Sequence, residues 1–319
     1  MKNRLFLVFS LLVSFRLCYL RYCKLTLERI GFPDGFNFIF ILFCFAIVVG
    51  ITASPMIISR LMKTRNLKYG AVFRIFVISA IPTTVLSYFM SGVPALVCQF
   101  LSAALDAAGI SVCLNQAASG AIPPERIGRF FGGAFGIMTL SVAVIFFLPT
   151  VEIPTGAVVV ALCVFLALAA VLFEGDGPDM PRAGAGAPAA NPMPHGTVLA
   201  AGGVICLYAV ISGLLDNIYF FESAFDRFPH FLFFIYLYES AISIAGGYAI
   251  DKFKFSEVGA AAFLLICVGQ SMSFFSRNEL LVIPYTIFSD AGVNTLALMA
   301  AGLPVFYCAK TGRVGVLPG

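Results

Sequence analysis

Five ionisable side chains, Arg16, Asp106, Asp216, Glu239 and Asp290, lie inside long apolar runs of a 319-residue chain. A charge in a hydrocarbon core costs at least about 2.5–3.5 kcal/mol on insertion scales, so each is a functional candidate by default. A carboxyl so placed can carry a proton or bind a cationic group. An arginine so placed can meet an anionic group or bias the proton affinity of a nearby carboxyl. Blander roles stay open for all five. Arg16 can snorkel to headgroups, Asp106 and Asp290 can be packing polars satisfied by Ser, Thr or Asn, Asp216 can cap its helix, and Glu239 can be a structural pair.

Other polar residues share helical faces with these charges. At about 100° per residue, positions seven apart lie on one face. Gln99, Ser102, Asp106 and Cys113 form one such stripe, and Thr286, Asp290 and Asn294 another. Ser212 and Asn217 accompany Asp216, while Ser243 and Gly247 follow Glu239. Metal and cofactor chemistry has little to work with. The chain holds two histidines, His195 and His230, and nine cysteines, none in a C-x-x-C pair. We read the cysteines as small buried packing residues and expect no metal and no cofactor.

The elements that carry these residues follow from composition. Apolar residues make up 60% of the chain and charged residues 11%, with a mean hydropathy of +0.98. So few charges cannot build a water-soluble surface, which excludes a soluble enzyme, a disordered protein and a nucleic-acid binder. The expected class is an all-α integral membrane protein in the lipid bilayer. Ten spans are expected, at 4–22, 36–58, 70–89, 93–118, 128–149, 154–173, 198–221, 229–250, 257–275 and 280–304. Barrel strands are not expected, because runs such as 38–51 do not alternate apolar and polar residues. The stretch 174–197, rich in Pro, Gly and Ala, reads as a flexible linker. The expected domains are therefore a six-helix bundle over 1–173, the linker, and a four-helix bundle over 198–319.

Net charge is +4, and most of the twenty Lys and Arg fall on one side if the N-terminus is cytoplasmic. That side receives Lys2, Arg4, the cluster from Arg60 to Lys68, Arg126, Arg129, Lys252, Lys254 and Lys310, which sets the expected orientation. The expected location is a bacterial inner membrane.

Residues 106–129 and 290–313 repeat at an offset of 184. Asp106 matches Asp290, Gly128 matches Gly312, Arg129 matches Arg313, and Arg126 pairs with Lys310. These letters are rare here, so their joint spacing marks spans four and ten as equivalent members of two halves.

The chain resembles the major facilitator superfamily in three loops. Gly247, Asp251 and Lys252 fit the signature Gly-x-x-x-Asp-Arg/Lys-x-Gly-Arg/Lys after span eight, although its second Gly is missing. The equivalent loop after span two keeps only Arg60 and Lys63. The run from Pro123 to Arg129, with Arg126 and Arg129, is similar to the family's loop after span four. The resemblance implies two bundles related by a pseudo-two-fold axis and a cavity lined by spans one, four, seven and ten. It also implies that the loop residues gate rather than bind. Four of the five membrane charges fall on those spans. The family has twelve spans, and the ending VGVLPG resembles the start of an eleventh, so we read the chain as truncated after the tenth helix.

The expected function is secondary active transport of a small polar solute by alternating access, coupled to a proton or sodium ion, in a monomer. Alternatives are a non-transporting membrane sensor or transporter remnant, and an intramembrane aspartyl protease. The protease fits poorly, because Asp106 and Asp290 lack the Tyr-Asp and Gly-x-Gly-Asp contexts of such enzymes. A reporter inserted in 174–197 is expected to be cytoplasmic, because six spans precede it from an inside N-terminus. A periplasmic signal from an alkaline-phosphatase fusion there would overturn the span count.

Overall fold

The computed structural model describes residues 2–26, 68–117, 122–147, 153–174, 230–274 and 282–311, with scattered positions between 45 and 64. Eight α-helices are described end to end: α1 (Lys2–Thr26), α2 (Tyr69–Phe89), α3 (Gly92–Gln116), α4 (Ile127–Phe146), α5 (Thr155–Leu172), α6 (Phe231–Lys252), α7 (Phe255–Phe274) and α8 (Val282–Thr311), and the scattered positions between 45 and 64 are helical as well. Among the described residues there is no strand, and six helices are long and apolar enough to cross a membrane. The chain is thus an α-helical membrane protein in its composition and its elements. Eight of the ten expected spans coincide with these helices. Span seven, most of span two and the linker lie outside the described residues.

Two compact units emerge, and their division does not follow chain order. The first comprises 1–122, 151–183 and 313–319, and the second 123–150 and 184–312. In the first, α2 packs on α3 and α5, and α1 packs on α3 and α5. In the second, α6 packs on α4 and α8, α7 on α8, and α4 on α8.

The first unit is closed at one end by cations. Arg74 donates from Nε to Ala170 O (3.3 Å) and from Nη2 to Phe173 O (3.2 Å), so a guanidinium sits on the last carbonyls of α5. Those carbonyls have no intrahelical partner, and the helix dipole favours a cation there. Arg4 forms an ion pair with Glu174, just beyond the same helix end. The tight connection between α2 and α3 depends on Gly92, whose φ of +62° lies in the left-handed region that side-chain-bearing residues avoid.

Packing in the second unit depends on small residues. A Cβ on Gly132 would overlap the Ser243 carbonyl and Gly247 Cα, and one on Gly247 would overlap the Gly128 carbonyl. The backbones of α4 and α6 therefore touch directly. Lipid tails are as apolar as leucine, so such close contact, not water exclusion, holds helices together in a membrane. Ser240 adds a hydrogen bond from Oγ to Gly136 O at 2.8 Å.

Most of the cysteines within reach are buried, as the packing reading expects: Cys18, Cys23, Cys98 and Cys113. Cys163 is half-buried and Cys267 exposed, so that reading is corrected at these two. Gly132→Leu is expected to lower the thermal unfolding temperature of detergent-solubilised protein, with a cost of about 1–3 kcal/mol for overpacking. Gly302→Ala is expected to stay near wild type, because the nearest atoms to an added Cβ are 3.5 Å away.

Candidate functional site

Arg16 on α1 donates from Nε to Asp106 Oδ2 on α3 at 2.9 Å. The Asp106 side chain is 1% exposed and that of Arg16 is 20% exposed. Two charges that are each costly in hydrocarbon thus neutralise one another inside the first unit. The pair is only partly saturated. Among the described residues, Arg16 Nη2 and Asp106 Oδ1 are buried and have no hydrogen-bond partner. A guanidinium can make a two-point contact with a carboxylate, and this one makes a single point. The pair can therefore accept a second polar group without first dissolving.

A buried polar seam continues between α1, α2 and α3. Tyr22 and Ser87 hydroxyls meet at 3.4 Å, and Thr84 and Ser102 hydroxyls at 2.7 Å. Gln99 donates from Nε2 to Thr26 Oγ1 at 3.3 Å, and its Oε1 is buried without a partner among the described residues. Gln99 and Asp106 are seven residues apart on α3, so the expected stripe is present. Rings stack beside it, with Phe15–Tyr19 centroids at 5.1 Å and Tyr19–Tyr22 at 5.7 Å. The sequence reading missed Tyr19, Tyr22, Thr26, Thr84 and Ser87. Arg16, Tyr19, Cys23 and Thr26 do recur at helical spacing, a signal that could have found the α1 members.

The second unit brings together two loop motifs that lie more than a hundred residues apart. Asp251, at the end of α6, accepts from Gly128 N (2.7 Å) and Arg129 N (3.0 Å) at the start of α4. It also pairs with Arg129 Nε at 2.8 Å. The first N–H groups of a helix lack partners, and no side chain of the Arg126 N-cap supplies one. Asp251 supplies it from another helix, with a negative charge at the positive end of the dipole. Gly247 lets the two helix ends approach, as described above. Arg129 also lies over the Tyr248 ring, 5.4 Å from its centroid.

The remaining expected residues scatter. Arg126 and Lys252 are exposed and stand outside this clamp, with Lys252 Nζ 5.7 Å from the Phe253 ring centroid. Arg60 is helical and exposed. Lys63 and Asp216 lie outside the described residues. Glu239 is half-buried on α6, and Asp290 and Asn294 are half-buried on α8. Among the described residues, no group of three or more His, Cys, Asp and Glu could hold a metal ion.

No protein-family model and no curated protein sequence matches the chain.

The Arg16–Asp106 pair makes a stability prediction. Removing one partner strands a buried charge, which costs about 3–5 kcal/mol, whereas apolar replacement of both is often neutral. Arg16→Met and Asp106→Leu are each expected to destabilise strongly in thermal unfolding, and the double variant to recover most of the loss. A double variant no better than the worse single would mean that the two charges do not neutralise one another.

Proposed function

We propose that the protein is a secondary active transporter of the major-facilitator type, with six helices and then four related by a pseudo-two-fold repeat. It would move a small polar solute by alternating access, coupled to a proton or sodium ion. The observation that carries this reading is the buried, half-saturated Arg16–Asp106 pair. A purely structural pair in hydrocarbon is favoured when every donor and acceptor is satisfied. This one keeps a guanidinium N–H and a carboxylate oxygen in reserve, which suits a solute that binds and leaves.

Further support comes from the repeat that matches Asp106 to Asp290, and from the signature-loop residues Gly247 and Asp251. A carboxylate that caps a helix from another helix makes a catch: it holds one arrangement and releases when the helix ends part. Such a catch is what a gate in an alternating-access cycle requires. Gln99 and Asn294 would contribute neutral polar contacts, and Asp106 or Asp290 would carry the proton or meet a cationic group.

Purified protein in proteoliposomes, screened on a solid-supported membrane against a panel of small polar solutes, is expected to give solute-dependent charge movement. Asp106→Asn and Asp290→Asn are each expected to abolish accumulation driven by a pH gradient, with Asp290→Asn near wild type in thermal unfolding and Asp106→Asn destabilised, because its amide leaves Arg16 without a counter-charge. Asn keeps size and hydrogen bonding but carries no proton. Arg16→Lys is expected to retain more activity than Arg16→Gln if charge alone matters, and to fail equally if the contact is two-pronged. No charge movement with any solute in wild-type protein would favour a non-transporting role.

A further inference from the structure

Among the described residues, Glu239 is the membrane carboxyl that the repeat does not explain. Its surroundings are set by the register of α6 against α8. Tyr238 donates from its hydroxyl to Ile287 O at 2.7 Å, a separation of 49 residues. Further along, a Cβ on Gly246 would lie 3.2 Å from Thr295 Oγ1, again a separation of 49. Equal spacing at two contacts two turns apart means that the helices run parallel and in register. Position 290 is then level with position 241, within a turn of Glu239.

The rotational setting agrees with this level. Tyr238 and Gly246 mark the stripe of α6 that faces α8, and Thr295 and Leu298, which a Cβ on Gly246 would meet, mark its counterpart. Glu239 sits roughly 60° round from its stripe in one sense, and Asp290 roughly 100° round in the other. On parallel helices that face each other, opposite senses open on the same side of the seam. Helix α4 closes that side, since Ser240, Ser243 and Gly247 contact Gly136, Gly132 and Gly128. A turn along from Glu239, Ser243 is fully buried, and among the described residues its Oγ has no partner.

We propose that Glu239 and Asp290 form a proton-sharing carboxyl pair in the wedge between α4, α6 and α8. The pair holds one proton between two oxygens of like charge, and Ser243 is the neutral group available to hydrogen-bond it. Two carboxylates at one level on adjacent helices repel when both are ionised, and one bound proton removes the repulsion. Among the described residues, the other charged groups on α4, α6, α7 and α8 lie toward the helix ends. Arg129 and Asp251 pair with each other at the far end of α6, Glu257 lies beside Lys254, and His230 is exposed at the start of α6. In the first unit Asp106 already has Arg16 as its counter-charge. On the transporter reading, on which this assignment of roles rests, the Glu239–Asp290 pair carries the coupling proton and the Arg16–Asp106 pair meets the solute.

The test reads the proton directly and needs no solute. Infrared difference spectra of the reconstituted protein between acid and alkaline pH are expected to show a protonated-carboxyl stretch that shifts on transfer to D2O. Asp290→Asn is expected to change the frequency and titration of that band, Glu239→Gln to remove or displace it, and Ser243→Ala to shift its frequency. Asp106→Asn is expected to leave it in place. Glu and Asp are replaced by isosteric amides, and thermal unfolding checks that both variants fold. A band unchanged in both single variants overturns the pair. A band removed by added sodium chloride at constant pH overturns the proton assignment in favour of sodium. Failure of the transport reading is separate, since wild-type protein would then show the coupled band and no solute-dependent charge movement. For a solute that moves charge in wild type, Glu239→Gln is expected to keep solute exchange and lose accumulation.

Discussion

Hydrocarbon offers no hydrogen bond to anything placed in it, and the buried ion pair of this protein answers that constraint. Water would solvate Arg16 and Asp106 at almost no cost. Without it, they find one another across ninety residues of sequence. At the exposed ends of the spans, Arg74 covers the last carbonyls of α5 and Asp251 the first amides of α4. Serine and threonine hydroxyls inside the helices turn back to carbonyls three or four residues earlier, as Ser10, Thr84 and Thr139 do.

The same constraint explains why packing depends on small residues. With no water to expel, helices adhere by close contact, and Gly128, Gly132 and Gly136 allow α6 to reach the backbone of α4. A larger side chain at Gly132 would hold the two helices apart and break the contact between Ser240 and Gly136 along with it. In this unit packing and polar satisfaction are therefore one property.

Individual residues show what could be read before the structure. The spans were legible because long apolar runs bounded by charges permit little else, and eight of ten coincide with helices. Asp106, Glu239 and Asp290 were legible because a carboxyl in such a run is rare. The pairing of Arg16 with Asp106 was not, because the crossing of α1 and α3 decides which side chains meet, and nothing local encodes it. Nor was the register of α6 on α8, which two contacts fix in space and no motif marks. Thr84 and Ser87 escaped notice because a hydroxyl in an apolar helix is cheap when it bonds its own backbone, and Tyr22 because its hydroxyl meets Ser87 across 65 residues that no local pattern links. Gly247 and Asp251 were legible through resemblance, but their task of capping α4 follows only from the distances to Gly128 and Arg129.

The cap on α4 distributes mutational risk unevenly. Asp251 accepts three hydrogen bonds, and two of the donors are peptide N–H groups. Every residue but proline brings a peptide N–H, so a change of side chain at Arg129 deletes one bond and spares the others. No substitution at position 251 enjoys that tolerance, apart from those that keep two acceptor oxygens at the same reach. The junction is thus forgiving at Arg129 and unforgiving at Asp251, and also at Gly128, where any side chain would run into the Gly247 carbonyl and into the capping carboxylate itself.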